Sequence, residues 1–241
     1  MSTAPRRQRE FLAREELILD AAREILLESG YTHLTMERIA ERIEYSKGTV
    51  YNHFRSKDDI IAAIYARTMD LRIPRFRHAA TFPGSPREKI TAIGICEELF
   101  WAAHPVHVIS AEIVRTSGVY AALSEARREE LQAQEARCME VTVELIEEAV
   151  ACGDLTLAPG ATPQGITLSL WGLYIGTSDL MRGGFPTEPF GIDDMSENLR
   201  RSAQFLLDGV GWHPLSTEHD YRETERRTIE ELFPDEAHWL R

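Results

Sequence analysis

Ser46 to Lys57, SKGTVYNHFRSK, constrains this chain more than any other stretch of it. Val50 and Phe54 stand four apart and share one side of a two-turn helix. Lys47, Thr49, Asn52 and His53 take the other side, and Gly48 leaves the backbone approachable. A helix this short, apolar on one side only, does not hold itself in water, so neighbouring helices must carry it. From Lys47 through Arg55 there is no carboxylate. A small, acid-free face rich in donors is what a helix seated in the major groove of DNA requires. Phosphates repel acid, and Thr, Asn and Lys donate to phosphates and base edges.

The flanks supply the carriers. Thr35 caps a second helix in which Met36, Ile39, Ala40 and Ile43 form a packing stripe opposite Glu37, Arg38, Glu41 and Arg42. Glu44-Tyr45-Ser46 forms a turn, with Ser46 as the next cap. A first helix is predicted from about Arg14 to Glu28, with Ile18, Ala21, Ala22 and Ile25 facing inward and Gly30 ending it. A fourth starts at Ser56, with Asp59 in capping-box position and Lys57 in its first turn. From Thr35 to Phe54 the two helices and their turn span about 20 residues, the size of a helix-turn-helix.

The run GYTHLTMERIAERIEYSKGTVYNHFRSKDDIIAAIY resembles the DNA-binding domain of the TetR family of bacterial transcriptional regulators, over residues 12–72. The resemblance implies that Thr35 touches phosphate and that Lys47, Gly48 and Thr49 approach bases or backbone. It implies that Tyr51 and His53 contact phosphates or base edges, that Lys57 holds phosphate, and that Asn52 is a specificity residue. Tyr51 has a second reading, packing against the first helix. Glu44 departs from the family, which often has glycine in this turn; a left-handed backbone there costs up to about 1 kcal/mol. Arg6, Arg7 and Arg9 read either as a flexible basic arm for the minor groove or as a solvated tail.

The remainder, 73–241, reads as helices throughout, so the expected class is all-α: a three-helix DNA-binding domain followed by a larger helical domain for ligand binding and dimerisation. The long fourth helix is predicted to end near Arg72, before Pro74. Further helices are predicted at about 87–103, 106–116, 119–152, 163–182, 194–209 and 217–232. In the helix 163–182, Gly165, Ser169, Gly172 and Gly176 make a smooth stripe. It suits either a dimer face, completed by Leu206 and Val210 of the next helix, or packing inside one subunit. Phe100, Trp101, Met139, Trp171 and Tyr174 either line an apolar effector pocket or form ordinary core. His104 and His107 read as pocket lining, as structural residues, or as a metal pair. Pro105 between them and the absence of a third ligand at diagnostic spacing argue against metal, so no metal and no cofactor are expected.

The formal charge of −12 does not announce a DNA binder, but its distribution permits one. Residues 1–60 carry ten Lys and Arg against eleven Asp and Glu; the other residues carry 17 against 28. An architectural DNA protein of low specificity is expected to be basic overall, and this chain is acidic. GxSxG, HExxH, the Walker loop and a strand-linked GxGxxG are missing from the sequence, which argues against an enzyme. The charged start MSTAPRRQREFLAREE, the lack of a long apolar segment and three scattered cysteines suggest a cytoplasmic protein with reduced thiols and no membrane association. The expectation is a ligand-responsive regulator, most simply a repressor. It binds a palindromic double-stranded operator as a homodimer and is released by a small-molecule effector. An activator and a nonspecific DNA-binding protein are the alternatives.

Overall fold

The computed structural model describes residues 3–240, and among them every regular element is a helix. In chain order these are α1 (Thr3–Ser29), α2 (Met36–Arg42), α3 (Lys47–Tyr51), α4 (Lys57–Ala79), α5 (Pro86–Ala103), α6 (Pro105–Thr116), α7 (Val119–Ala122), α8 (Glu125–Cys152), α9 (Pro163–Arg182), α10 (Met195–Gly209) and α11 (Tyr221–Leu232). Short 3-10 turns occupy Tyr31–His33, Glu188–Phe190 and Pro234–Leu240. The chain divides into two compact units: residues 1–70 with 104–134, and residues 71–103 with 135–241.

In the first unit the expected stripes are the core. Ile18, Ala21, Ala22 and Ile25 of α1, Met36, Ile39 and Ala40 of α2, and Val50 and Phe54 are all buried, while Ile43 at the end of α2 is half-buried. Caps fix where the helices start. Thr35 Oγ1 accepts from the Arg38 amide at 3.2 Å, and Ser46 Oγ accepts from the Thr49 amide at 3.1 Å. Ser56 Oγ accepts from the Asp59 amide, and Asp59 accepts in turn from the Arg55 amide. α1 and α2 are also tied by Arg42, which pairs with Glu28 at 2.7 Å and Glu24 at 2.9 Å.

The second unit is built around α5, whose Ile90, Ile95, Leu99 and Phe100 are buried. Its polar residues are buried as well. Arg72 makes two bonds to Glu97, at 2.6 and 3.0 Å, and Arg200 makes a similar fork with Glu98. Arg87, fully enclosed, donates to the Trp212 and Gln204 carbonyls and to Asp208. Burial alone would raise the Asp208 carboxyl; hydrogen bonds from Ser216 and Arg87 outweigh it and hold the group below the usual range.

Five boundaries differ from the sequence expectation, one of them the start of α11, at Tyr221 rather than near 217. α1 begins at Thr3 rather than near Arg14, so Arg6, Arg7 and Arg9 lie on a helix and not in a flexible arm. The segment before Arg14 has no apolar stripe to announce it, and pairs such as Arg6–Glu10 at 2.7 Å support it instead. α3 ends at Tyr51 rather than Phe54, closed by the Asn52 cap. α4 runs through Pro74 to Ala79, because Phe76 and Ala79 are buried and anchor the extra turns. The predicted 119–152 helix is broken into α7 and α8, with Ser124 Oγ accepting from the Arg127 amide at the restart. Glu44 is left-handed, at φ 57°, the one non-glycine residue with positive φ among those described.

Candidate nucleic-acid interface

α3 has Val50 buried beneath it and presents its remaining side chains outward. Lys47, Gly48, Tyr51 and Asn52 are exposed, and Thr49 and His53 are half-exposed. Five of the expected residues therefore share one surface with Thr49, whose hydroxyl lies 2.9 Å from that of Ser46. A Cβ added at Gly48 would meet only Ser46 Oγ, at 3.7 Å, so the space over this glycine is open to an incoming backbone.

Lys47 is ion-paired with Glu37 of α2, and its ammonium lies 5.6 Å from the centre of the Tyr51 ring. Each partner stabilises the other's charge: the hydrogen bond between them lowers the Glu37 carboxyl and raises the Lys47 ammonium. Tyr51 is exposed beside Lys47. Lys57 stands over the Tyr31 ring, 4.0 Å from its centre, and Tyr31 donates from its hydroxyl to Asp58 at 2.5 Å. Burial first, and then the bond to Asp58, push the Tyr31 phenol well above its ordinary range. Thr35 is spent on its own helix as a cap. Sequence reasoning did not single out Glu37, Tyr31 or Phe11; an aromatic residue in a charged helical turn was the signal available for Phe11.

The seven effector-pocket candidates are divided between the two units. In the first, His104 caps α6, and His107 is buried with Nδ1 2.9 Å from Thr68 Oγ1, their rings 5.7 Å apart. In the second, Phe100 is buried, and Met139, Trp171 and Tyr174 are half-buried. Trp101 donates to Glu97 at 2.8 Å and meets the Tyr174 ring edge-on at 5.7 Å. A Cβ on Gly94 would overlap the Tyr174 hydroxyl, so any side chain there displaces that ring. Burial raises that phenol well above its ordinary value. The second unit also has a polar cleft of about 450 Å³ lined by Glu197, Arg200, Gln204, Phe205, His219 and Glu225 among others, and none of the seven candidates lines it. Among the described residues no three His, Cys, Asp or Glu side chains gather as metal donors, and no helix is long and apolar enough to cross a membrane.

The small stripe of α9 is open. Gly165, Ser169, Gly172 and Gly176 are exposed, and a Cβ on Gly172 or Gly176 would meet nothing within 4 Å. Leu206 and Val210 are half-exposed, with Phe205 and Leu168 uncovered at 61% and 56%.

Residues 18–64 match the family model described as bacterial regulatory proteins, tetR family. Over 60 residues the chain is 42% identical to the HTH-type transcriptional regulator UidR of Escherichia coli, covering 25% of this chain and 31% of that protein. The chain thus spans about a third of the length of the curated relatives it matches. A TetR/AcrR-family regulator from Thermobifida fusca shares the fold at TM-score 0.58 and 26% identity, over 82% of this chain and 98% of that one. FadR from Bacillus subtilis, solved with stearoyl-CoA, shares it at TM-score 0.62 and 17% identity, over 81% and 98%.

Proposed function

We propose that this chain, whose residues 18–64 match the tetR family model, is a ligand-responsive, non-catalytic transcriptional repressor. Residues 12–72 act as the reading head, and 73–241 as the effector-binding and dimerising portion. The observation that carries this reading is the exposed surface of α3, where Lys47, Thr49 and Asn52 stand together with no carboxylate of their own helix. In this reading Lys47, Gly48, Thr49 and Asn52 meet bases or backbone, and Tyr51, His53, Lys57 and Thr35 hold phosphates.

A second copy of the chain is the partner. The open stripe of Gly165, Ser169, Gly172 and Gly176, flanked by Leu206 and Val210, supports close approach of two α9 helices. Two heads related by a two-fold axis read successive major grooves, about 34 Å apart, which makes the operator a palindrome. The effector is an organic molecule held in the C-terminal portion; that a protein of the same fold holds stearoyl-CoA supports this class over a metal. It releases DNA by favouring one of two states, with α4 as the covalent connection to the head. A cytoplasmic location goes with this role.

Lys47→Ala and Thr49→Ala are each expected to weaken binding to a selected operator at least tenfold in a gel-shift assay, with the dimer intact by sedimentation. Unchanged affinity in both variants rules out the assignment of α3. Equal affinity for random DNA points to the nonspecific alternative, and effector-enhanced transcription in a reporter assay to an activator.

A further inference from the structure

Phe11 is 40% exposed, on a stretch of α1 where Arg6 through Glu10 are all exposed. Its ring stacks on His53, with centroids 4.1 Å apart and planes 30° from parallel. His53 follows directly on the Asn52 cap of α3, so the stack ties the first helix to the end of the recognition helix. His53 Nδ1 is enclosed and has no hydrogen-bond partner among the described residues. The charged groups that face the ring are Glu15 and Arg14, both on α1 and opposite in sign. Burial lowers the imidazole below its ordinary value, Glu15 opposing the effect and Arg14 adding to it, which favours the neutral ring. A neutral imidazole carries one N–H. Placed on the enclosed nitrogen it would bond to nothing, so the favoured tautomer keeps it on Nε2.

We propose that Phe11 is a positioning residue for DNA binding, its ring clamping His53 so that Nε2–H is held as an uncharged donor to a phosphate oxygen. This rests on the reading of α3 as the recognition helix. A neutral donor releases no counterion of its own, so the clamp contributes affinity without contributing salt dependence.

The test uses the full chain and a duplex enriched from a random library by the purified protein. Phe11→Ala is expected to weaken binding about tenfold, with the slope of log Kd against log salt unchanged, whereas Lys47→Ala reduces that slope by about one. Phe11→Trp keeps the stack and binds within about twofold of the parent; in a His53→Ala background, Phe11→Ala costs less than about twofold. NMR of the DNA-free protein is expected to show His53 titrating below the ordinary histidine value in the parent and in Phe11→Trp, and moving up toward it in Phe11→Ala. An unmoved titration, or a cost of Phe11→Ala that is the same with and without His53, overturns the clamp. It leaves the head standing wherever Lys47→Ala still loses binding. If Lys47→Ala binds like the parent, the DNA reading itself has failed.

Discussion

In the unit that holds the head, ion pairs sit in water: Lys47 with Glu37, Arg42 with Glu24 and Glu28, Arg67 with Glu16. In the other unit, Arg72–Glu97 and Arg200–Glu98 are forked and withdrawn from solvent, and Arg87 is enclosed entirely. An exposed pair gains little over water, so a cation held this way exchanges its carboxylate for a phosphate at small cost. A buried pair that loses one partner leaves the other charge stranded, at a cost of about 3–5 kcal/mol. The same chemistry therefore makes one surface ready to rebind and locks the other interior in place.

Arg72→Met is expected to produce the largest effect, a loss of about 3–5 kcal/mol of unfolding free energy measured in urea, because Glu97 then stays buried without its partner. A change below about 1 kcal/mol would show that the interior of the second unit is wetter than its geometry implies, and the contrast with the head would dissolve.

Two buried groups, one in each unit, are shifted in opposite directions, because burial disfavours the charged form of a base and of an acid alike. Burial, with Arg23 and His104, lowers His107 of the first unit from 6.5 to about 4. Its contribution is present above pH 6.5 and is lost as pH falls through about 4. Glu225 of the second unit is raised from 4.5 to about 7 by burial, with Glu98 and Asp220 adding to the rise and Arg200 and Arg222 opposing it. Its contribution is present below pH 4.5 and is lost as pH rises through about 7. In melting curves recorded across this range, His107→Gln is expected to flatten the acid limb and Glu225→Gln the neutral limb. Variants that both flatten the same limb would contradict this division.

Smaller effects sharpen the picture of the head. Glu44→Gly relieves a left-handed turn and is expected to stabilise by about 0.5–1 kcal/mol in thermal melts, with operator affinity unchanged. Glu37→Gln frees Lys47 and is expected to tighten DNA binding by up to about fivefold at low salt, an advantage that fades as salt rises. Equal tightening at high salt would mean that Glu37 acts on DNA through something other than Lys47.

The head was legible in the sequence because its determinants are local. The spacing of Ile18, Ala21, Ala22 and Ile25, the caps at Thr35, Ser46 and Ser56, and the acid-free run after Lys47 each act within a few residues. The helices of the second unit obey the same rules, so α5, α9 and α10 appear within a residue or so of their expected bounds. What binds those helices together does not. Arg72 meets Glu97 across 25 positions, Arg87 meets Asp208 across 121, and the Tyr174 hydroxyl fills the space over Gly94. No periodicity marks such pairs. The α1 extension was missed for the opposite reason: it is local, but it buries too little to leave a hydrophobic trace.

Pro74 has a mechanical consequence. An α-helix is a ladder in which each rung joins an amide to the carbonyl four residues back, and proline has no amide hydrogen to supply. The missing rung in α4 is the one to Asp70, where the chain first passes from one compact unit to the other. Flexing the rod at that point breaks one bond fewer than flexing it elsewhere along its interior. Of the two helices whose chain passes from one unit to the other, α4 and α8, α4 is thus the one with a rung missing beside the crossing.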